Sequence, residues 1–415
     1  MADAGVWKPY TQGQGQLLAA FVDEALDRSD PVFFITDAVE HLAMGPLEAR
    51  YATLGEHAYH PRLLLKLWLY GATQGVYRGR EIARRCRRDL AFRYLVGASA
   101  VPDFRTINRF RGRHRADFAW VLRETLRLAR AAGLVQRGLV TVDGTKLRAD
   151  TSRGKAMSHG RMQAEEARLE QEITELLQRQ DAAQAAEDAT HGDDDDGSGG
   201  LPAELQDRER RLARLRAAKT QLEQEKGPAL EPRHQKSFAD PAANMMRVGH
   251  DGALTYADNA QAATSPDGFS VAPRVVTTPV DTGQLVPMVA AGRTTVQQRP
   301  RTVLADKGYL TEAVLCELQR RRPRCLVAVG REGKTTRWPR GRYTRRRHRL
   351  LRLPWARALY AKRKTQGERP FAEIKQAMGF RRVRLRGLAN VRGEWDLVSA
   401  ACNLRRLFAL TRIPA

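Results

Sequence analysis

The sequence predicts a mixed α/β protein, with a central sheet flanked by helices and an all-helical region before it. Residues 1–135 show helical periodicity and no strand-like alternation. After residue 138 the order is strand, charged helical insertion, two strands, helix, strand, helix, strand, helix. Because this order comes without a phosphate-binding glycine loop, we expect a mixed sheet and not a doubly wound nucleotide-binding fold.

One helix of the N-terminal region carries a basic face. Asp103 is placed as an N-cap, and Phe104, Ile107 and Phe110 recur at helical spacing. The opposite face is predicted to present four polar residues, Arg105, Asn108, Arg109 and Arg111. Such side chains suit base edges and phosphates. The pattern fits the recognition helix of a helix-turn-helix, or equally a surface helix with a solvated basic face.

Two apolar strands each run into an aspartate that precedes a glycine turn. The first leads to Asp143 and Gly144, and the second, residues 303–306, ends at Asp306. A basic, helix-like stretch further on carries Glu368. Taken singly, each aspartate is also explained as an ordinary turn former. Two strand-end aspartates and a helix glutamate, far apart in sequence, are what a two-metal phosphoryl-transfer site needs.

An insertion interrupts the α/β pattern. Residues 162–185 and 202–226 are charged helical stretches with apolar residues at intervals, and we expect an antiparallel helical hairpin. The segment between them, residues 191–200, is of low complexity and is predicted to be a disordered link. Its aspartate run, residues 193–196, lacks the spacing of a calcium loop and is interpreted as a solvated charge run.

The remaining elements follow from periodicity and turn residues. Residues 254–263 and 268–279 are predicted to form an antiparallel pair joined by a Ser-Pro-Asp-Gly turn. Residues 331–349 are predicted to be an arginine-rich loop. The other predicted elements are helices at 284–291, 312–322, 371–378 and 395–410, and a strand at 325–329.

The charge of the chain is concentrated in its last part. The 415 residues carry a net charge of +24, and residues 301–415 contain 30 Lys/Arg and 8 Asp/Glu, a net charge of +22. This imbalance favours a polyanionic partner, since phosphate neutralisation dominates nucleic-acid affinity; a merely basic, soluble surface is the alternative. Arg345, Arg346 and Arg347 are predicted to bind DNA phosphate without sequence preference.

The cysteines and the hydropathy pattern point to a protein of the cytoplasm. Cys86, Cys316, Cys325 and Cys402 fit neither a zinc module nor a disulfide framework, so we expect ordinary buried thiols. The sequence has no apolar run of transmembrane length, and its first residues do not resemble a signal peptide. We therefore expect no membrane partner and a cytoplasmic, nucleoid-associated location.

Several blocks together resemble the DDE transposases of bacterial insertion sequences. Residues 59–66 and 102–110 resemble the family's N-terminal DNA-binding region, and residues 240–246 and 256–262 resemble its second-strand block. Val142-Asp143-Gly144-Thr145-Lys146 and Ala305-Asp306-Lys307-Gly308-Tyr309 resemble the blocks around the two catalytic aspartates. The last block resembles the Tyr-Arg-Glu-Lys signature of one branch, with Tyr360, Arg363, Glu368 and Lys375.

The resemblance implies an RNase H-like mixed sheet flanked by helices, and a division of the chain. Residues 1–135 would form a helical, helix-turn-helix-like DNA-binding domain. Residues 136–415 would form the catalytic domain, interrupted by the helical insertion at 155–235 with its acidic linker. The implied partners are double-stranded DNA, as terminal repeats and as target, and a second copy of the chain in the DNA complex.

The resemblance also implies the chemistry. Asp143, Asp306 and Glu368 would hold two divalent ions, Mg²⁺ with Mn²⁺ as a substitute, and would cleave and join DNA strands. Tyr360, Arg363 and Lys375 would lie near the DNA backbone. The alternatives are a metal-dependent nuclease on the same fold and a non-catalytic DNA-binding protein derived from a transposase. On a helical wheel Glu368 lies beside the apolar stripe and Glu373 faces water, which predicts Glu368 as the third ligand.

Overall fold

A computed structural model of the chain describes residues 21–51, 58–136, 138–151, 156–188, 203–249, 252–296, 299–320, 323–328 and 341–412. The predicted acidic linker and the first part of the predicted arginine-rich loop lie outside these residues. Within them the protein is a mixed α/β structure with a mixed sheet, as the sequence predicts.

The chain before the sheet is helical, as predicted. Its helices are α1 (Pro31–Glu40), α2 (Gly45–Glu48), α3 (Pro61–Thr73), α4 (Gly79–Arg88), α5 (Leu90–Val96), α6 (Phe104–Arg113) and α7 (Phe118–Ala131). Asp103 caps α6 as expected, because its carboxylate accepts a hydrogen bond from the Arg105 N–H at 2.8 Å. Asp30 and Asp89 cap α1 and α5 in the same way.

The central sheet contains six strands. They are β1 (Leu139–Arg148), β4 (Asn244–Val248), β5 (Ala253–Thr264), β6 (Ser270–Val276), β7 (Thr302–Ala305) and β8 (Arg324–Val327). The strand order is β4-β5-β1-β7-β8, and β6 also pairs with β5. Strands β1, β7 and β8 are parallel, whereas β5 is antiparallel to β1, β4 and β6. The β5–β6 pair confirms the predicted hairpin, but β4 was not predicted.

The two faces of the sheet are covered differently. One face packs against α10 (Leu285–Val296) and α11 (Glu312–Arg320), in a core that includes Val142, Val303 and Leu315. The other face packs against α13 (Pro354–Ala372) and α14 (Leu388–Thr411). A single apolar cluster on this second side includes residues of the N-terminal helices, of β1, β5 and β6, and of α14. The helical region and the sheet therefore share a core.

The insertion forms the predicted helical hairpin. Helices α8 (His159–Asp188) and α9 (Ala203–Lys226) pack through a small apolar cluster that includes Leu169 and Leu215. Cross-pairs such as Arg208–Glu172 and Lys219–Glu166 run along the seam in antiparallel order. Two short strands, β2 (Ala156–Ser158) and β3 (Gln235–Ser237), pair at the base of the hairpin. A hairpin with its own core and its own base forms a distinct projection from the sheet.

Two predictions about the C-terminal part are wrong. Within the predicted arginine-rich loop, the described part is a helix, α12 (Arg342–Leu350), whose start is held by Glu312, which accepts hydrogen bonds from the Tyr343 and Thr344 N–H groups. The helix predicted to begin near Phe371 begins instead at Pro354 and continues through Pro370. A π-helical turn, Glu373–Ala377, follows at once and shifts the angular spacing of side chains beyond Ala372.

The expected buried thiols are largely confirmed. All four cysteines are free; Cys86, Cys325 and Cys402 are buried, whereas Cys316 is half-buried, with its Sγ 3.5 Å from the Tyr343 hydroxyl. Within the described ranges, no helix combines the length and the apolar character needed to cross a membrane.

Candidate active site

Asp143 and Asp306 lie side by side on neighbouring parallel strands. The pairing of β1 with β7 ends at Val142 opposite Ala305, so the two aspartates follow at the same level. Asp143 lies in the middle of β1 and not at an exposed strand end, because β1 continues along β5 to Arg148. The prediction that Asp143 ends its strand is therefore wrong, whereas Asp306 does follow the last residue of β7.

Helix α13 crosses β1 at Asp143 and brings Glu368 to the site. The Thr141 hydroxyl donates a hydrogen bond to the side-chain oxygen of Gln366 at 3.2 Å. Gly367 is buried, and a Cβ added there would come within 3.2 Å of the Asp143 Cβ and 3.0 Å of the Thr141 Cγ2. The helix therefore approaches the strand as closely as a glycine allows, and Glu368 is the next residue.

Asp306 and Glu368 lie close enough to Asp143 for their charges to act on its carboxyl group. Burial raises the pKa of Asp143 to about 6, against the lowering effects of the Gly144 N–H and of Arg363. The negative charges of Asp306 and Glu368 raise this pKa further. The three predicted acids are thus brought together, although the described residues contain no group of three His, Cys, Asp or Glu side chains close enough to hold a metal ion.

Arg363 is the positive charge among these acids. Its Nη2 lies 4.0 Å from the Asp306 Oδ1, and its guanidinium lies near the ring of Tyr360, 5.8 Å from the ring centre. Its Nε is buried and has no hydrogen-bond partner. Arg363 therefore offsets part of the negative charge at the site.

The other two residues of the predicted signature also contact the site strands. The Tyr360 hydroxyl donates a hydrogen bond to the Ala305 carbonyl at 3.4 Å. The Lys375 ammonium donates hydrogen bonds to the Thr145 hydroxyl and, at 3.3 Å, to the Lys146 carbonyl. Burial, with Arg381 nearby, lowers the pKa of Lys375. The signature residues thus lie on α13 and the π-helical turn, and Tyr360 and Lys375 contact β7 and β1.

Glu373 points away from the site, but it is not a solvated charge. It is half-buried, and the Arg405 Nε donates a hydrogen bond to its carboxylate at 2.6 Å. Arg405 in turn donates to the Thr73 carbonyl at 3.1 Å, so Glu373 links α14 to the N-terminal helices. The prediction that Glu373 faces water is wrong because the wheel assumed a regular helix, and the π-helical turn begins at this residue.

A polar network lies behind Asp143, on the opposite face of β1. The Asp281 carboxylate accepts hydrogen bonds from Gln261 at 2.7 Å, Asn259 at 2.8 Å and Lys146 at 3.1 Å. The Tyr309 hydroxyl, three residues after Asp306, donates to Gln261. A Cβ at Gly144 would clash with the Gln261 amide, so a glycine at this position leaves room for the network to pack against the strand.

The predicted DNA-contacting residues of α6 are not equivalent. Arg105 and Arg109 are exposed, and Asn108 is half-buried with its amide against Gly79 at the start of α4. Arg111 is only 9% exposed: its guanidinium stacks on Trp68, 4.5 Å from the ring centre, and lies 3.5 Å from Glu394. The prediction that Arg111 belongs to the exposed face is wrong, because the cation is packed between α3 and α14.

The predicted arginines of α12 also divide. Arg345 and Arg346 are exposed, whereas Arg347 is 7% exposed and points toward β8. The placement of Arg347 on a solvent-exposed loop is therefore wrong, because the segment is a helix whose inner face carries this residue.

Two family models match the sequence. Residues 20–113 match the model described as Transposase domain (DUF772), and residues 293–408 match the model described as Transposase DDE domain. The chain belongs to the DDE transposases of insertion sequences. Together the two matches span about half of the transposase, and the second includes Asp306 and Glu368 but not Asp143. Neither the curated proteins nor the solved structures contain a significant match to this chain.

Sequence reasoning missed Gly367 and the network around Gln261. A glycine inside a helix costs about 1 kcal/mol relative to alanine, so its position directly before Glu368 was a usable signal. Asn259 and Gln261 are polar residues among alanines of a buried strand, and buried amides need partners. The partner Asp281 lies in the connection after β6, which sequence periodicity could not align with β5.

Proposed function

We propose that this transposase cleaves DNA strands at the ends of its element and joins them to target DNA, with Asp143, Asp306 and Glu368 as the catalytic carboxylates. The observation that carries the proposal is the meeting of two adjacent parallel strands and one closely packed helix at these three acids. Burial is the main reason that Asp143 ionises less readily, and the charges of Asp306 and Glu368 add to it, which makes this carboxyl group a candidate functional group.

The donor set fits hard divalent cations. All three side chains offer carboxylate oxygens, which Mg²⁺ and Mn²⁺ prefer, and the described part of the site contributes neither thiol nor imidazole. Asp143, Asp306 and Glu368 would therefore hold two ions per active site. When bound, such ions activate the attacking oxygen and stabilise the leaving oxygen of a phosphodiester.

The chain's own residues would orient the DNA backbone. Tyr360, Arg363 and Lys375 lie on the sheet-facing side of α13 and the π-helical turn, within reach of the same strands as the acids. Lys375 and Arg363 would meet phosphate oxygens, and these contacts position the strand without reading its sequence. The Gly144 N–H donates to Asp143 at 2.9 Å and fixes the direction of that carboxylate.

The strand order supports an RNase H-like catalytic fold. Apart from β4, which also pairs with β5, the path β6-β5-β1-β7-β8 takes the strands in the order third, second, first, fourth and fifth along the chain, with the last two parallel to the first. We propose that residues 136–415 form this catalytic domain and that residues 1–135 read the terminal repeats through Arg105, Asn108 and Arg109. Because an element has two ends, a homodimer in the DNA complex is part of this proposal, as is an association with the nucleoid.

The test uses labelled DNA that carries the element ends and a target plasmid. With Mg²⁺ the wild type should yield cleaved ends and joined products, and EDTA should abolish both. Asp143→Asn and Asp306→Asn should retain DNA binding but lose more than about tenfold in cleavage rate, or over 1.4 kcal/mol of barrier lowering. Cleaved ends without joined products would identify a nuclease and contradict strand transfer. Cleavage that survives in both variants would contradict the site.

A further inference from the structure

A cleft of about 880 Å³ lies at the end of the sheet opposite to the carboxylates. The starts of β7 and β8 form one wall, and α12 forms the other. The cleft is lined by five arginines, Arg301, Arg324, Arg346, Arg347 and Arg349. Because a parallel strand rises about 3.3 Å per residue, the length of β7 separates this cleft from Asp306 by about 13 Å. It cannot hold the phosphate that lies at the carboxylates.

The positive charge of the cleft is not balanced by the protein. The described lining residues include no Asp or Glu; besides the arginines they are Thr302, Gln319, Pro323, Leu350 and Leu353. Five guanidinium groups that share one cleft repel one another, and the repulsion is relieved when an anion enters.

Arg347 is the residue at the floor of the cleft. Arg347 is only 7% exposed, and among the described residues its Nε has no hydrogen-bond partner. The groups that act on its charge are Cys325, which is a neutral buried thiol, and the like-charged Arg346. A buried guanidinium whose Nε is unpaired among the described residues is costly to a fold, so its presence here points to a ligand that supplies negative charge.

The rim of the cleft is held in place before any ligand arrives. The Arg324 guanidinium packs on the ring of Trp355, 4.9 Å from the ring centre. The Arg324 N–H donates to the Arg301 carbonyl at 2.7 Å, and the Arg301 N–H donates to the Gly138 carbonyl at 2.8 Å. Arginine forks that are already oriented suit the oxygens of a phosphate group, which they bind in pairs.

We propose that this cleft is a second DNA-binding site, which holds the phosphodiester backbone of a DNA segment other than the one being cut, with Arg347 at its floor. The identity of the ligand as DNA rests on the proposed function. A free polyphosphate offers the same chemistry, but an open cleft that spans five arginines is larger than one phosphate group needs and suits a continuous backbone.

The experiment compares two double variants of α12 that remove the same charge. Arg346→Gln with Arg349→Gln changes two exposed arginines that line the cleft, and Arg342→Gln with Arg345→Gln changes two exposed arginines that do not. The sequence predicts that Arg345 also contacts DNA phosphate, and the second pair tests that competing expectation. Each pair is made in the Asp143→Asn protein, so that a labelled duplex of unrelated sequence is bound but not cut. The slope of log K against log salt should fall by about 1.8 for the cleft pair and by much less for the control pair. Equal changes would overturn the proposal in favour of a general basic surface.

The variant Arg347→Met distinguishes a ligand-binding role of Arg347 from a role in packing alone. If the buried cation exists for a ligand, the variant should bind the duplex more weakly and melt at the same or a higher temperature than the parent protein. A lower melting temperature together with unchanged duplex binding would show that Arg347 serves packing and would overturn its place in the site.

One further measurement distinguishes DNA from a free polyphosphate as the ligand of the cleft. A second distinguishes a failure of the cleft proposal from a failure of the proposed catalytic function. Inorganic pyrophosphate that binds the cleft while both double variants keep the wild-type salt slope would overturn the DNA assignment. Cleavage is assayed in parallel at low salt with Asp143 restored. If the protein with Asp143 restored does not cleave DNA but the salt slopes of the two double variants still differ, the proposed catalytic function is wrong and the DNA-binding cleft is supported.

Discussion

The two ends of the parallel strands carry opposite charges. At one end Asp306, which follows β7, and Asp143, beside it within β1, meet Glu368; at the other end, before β7 and β8, arginines lie around Arg347. At each end side chains of like charge lie together, and their mutual repulsion disfavours the folded state. The comparison indicates that a functional site is better recognised by charge that lacks a partner than by charge alone, since the many paired charges along α8 and α9 make no such site.

The difference between the two ends lies in their own counter-charges. At the acidic end Arg363 supplies a cation, 4.0 Å from Asp306, and the charges of Asp306 and Glu368 still add to the effect of burial in raising the pKa of Asp143. At the basic end the described residues supply no acid. A phosphate can therefore enter the basic cleft directly, whereas at the acidic end it needs additional positive charge first.

Substitution of Glu368 at the acidic end should have the largest effect, which is a loss of DNA cleavage. Glu368→Gln removes one ionised oxygen donor, and we expect cleavage in Mg²⁺ to fall on the order of a thousandfold, or about 4 kcal/mol. Glu373→Gln is the matched control from the same segment, because its carboxylate binds Arg405 and not the site. Initial cleavage rates on labelled end DNA measure both. The reverse ranking would overturn the choice of Glu368.

Asp258 is a buried acid that can be compared with the charged groups at the two ends of the sheet. It lies in the interior, where no ion from solution can enter. Its side chain is 1% exposed and its Oδ2 has no partner; burial raises its pKa to about 7, and the charges of Asp240 and Glu394 raise it further. The folded state therefore keeps a proton that the unfolded chain releases above its ordinary pKa of 3.8, and stability falls as pH rises toward 7.

Asp258→Asn should remove this loss. Between pH 5 and pH 7 the wild type should lose about 3 kcal/mol more unfolding free energy than the variant, at about 1.4 kcal/mol per pH unit. Urea midpoints at the two pH values measure the difference. Parallel pH profiles for the two proteins would show that Asp258 ionises normally in the fold.

The sequence predicted the parts of the site that depend on local pattern. The apolar runs before Asp143 and Asp306 gave two strands, and the structure pairs them in parallel at the same level. The charged periodicity of the insertion gave α8 and α9, and the Ser-Pro-Asp-Gly turn gave the β5–β6 hairpin. Each of these signals lies within a few residues of the element that it predicts.

The features that were mispredicted depend on distant contacts. Pro370 was expected to start a helix because proline disfavours helix before it, yet α13 runs through it while packed against β1 and β7. Helical spacing placed Arg111 on the polar face of α6, and Arg347 was placed in a loop; only the packing against α3 and β8 shows that both are buried. Tertiary packing overrides the local preference in each case.

Gly367 tests how closely the acidic end is assembled. Gly367→Ala should slow cleavage by about tenfold or more, because a Cβ would press on Asp143 and Thr141 and displace the carboxylates. Stability should change little, since the gain in helix propensity offsets the crowding. Gly112→Ala in α6 is the control, because nothing lies within 4 Å of its added Cβ. Equal cleavage rates in the two variants would contradict the close approach.

The smallest expected effect separates the basic cleft from the other arginine surface, on α6. Arg105 and Arg109 are exposed there, whereas Arg111 is packed on Trp68 and is not expected to read DNA. A contact to a base edge contributes about 1 kcal/mol or more of discrimination, so Arg105→Gln and Arg109→Gln should each reduce the preference for element-end DNA over unrelated duplex by about fivefold. The cleft variants should instead weaken binding to both DNAs alike, because phosphate contacts carry no sequence information.

Competition binding with the two duplexes at one salt concentration measures the ratio, and Arg342→Gln with Arg345→Gln controls for lost charge. If the α6 variants weaken both DNAs equally, α6 is a second backbone contact and the sequence is read elsewhere.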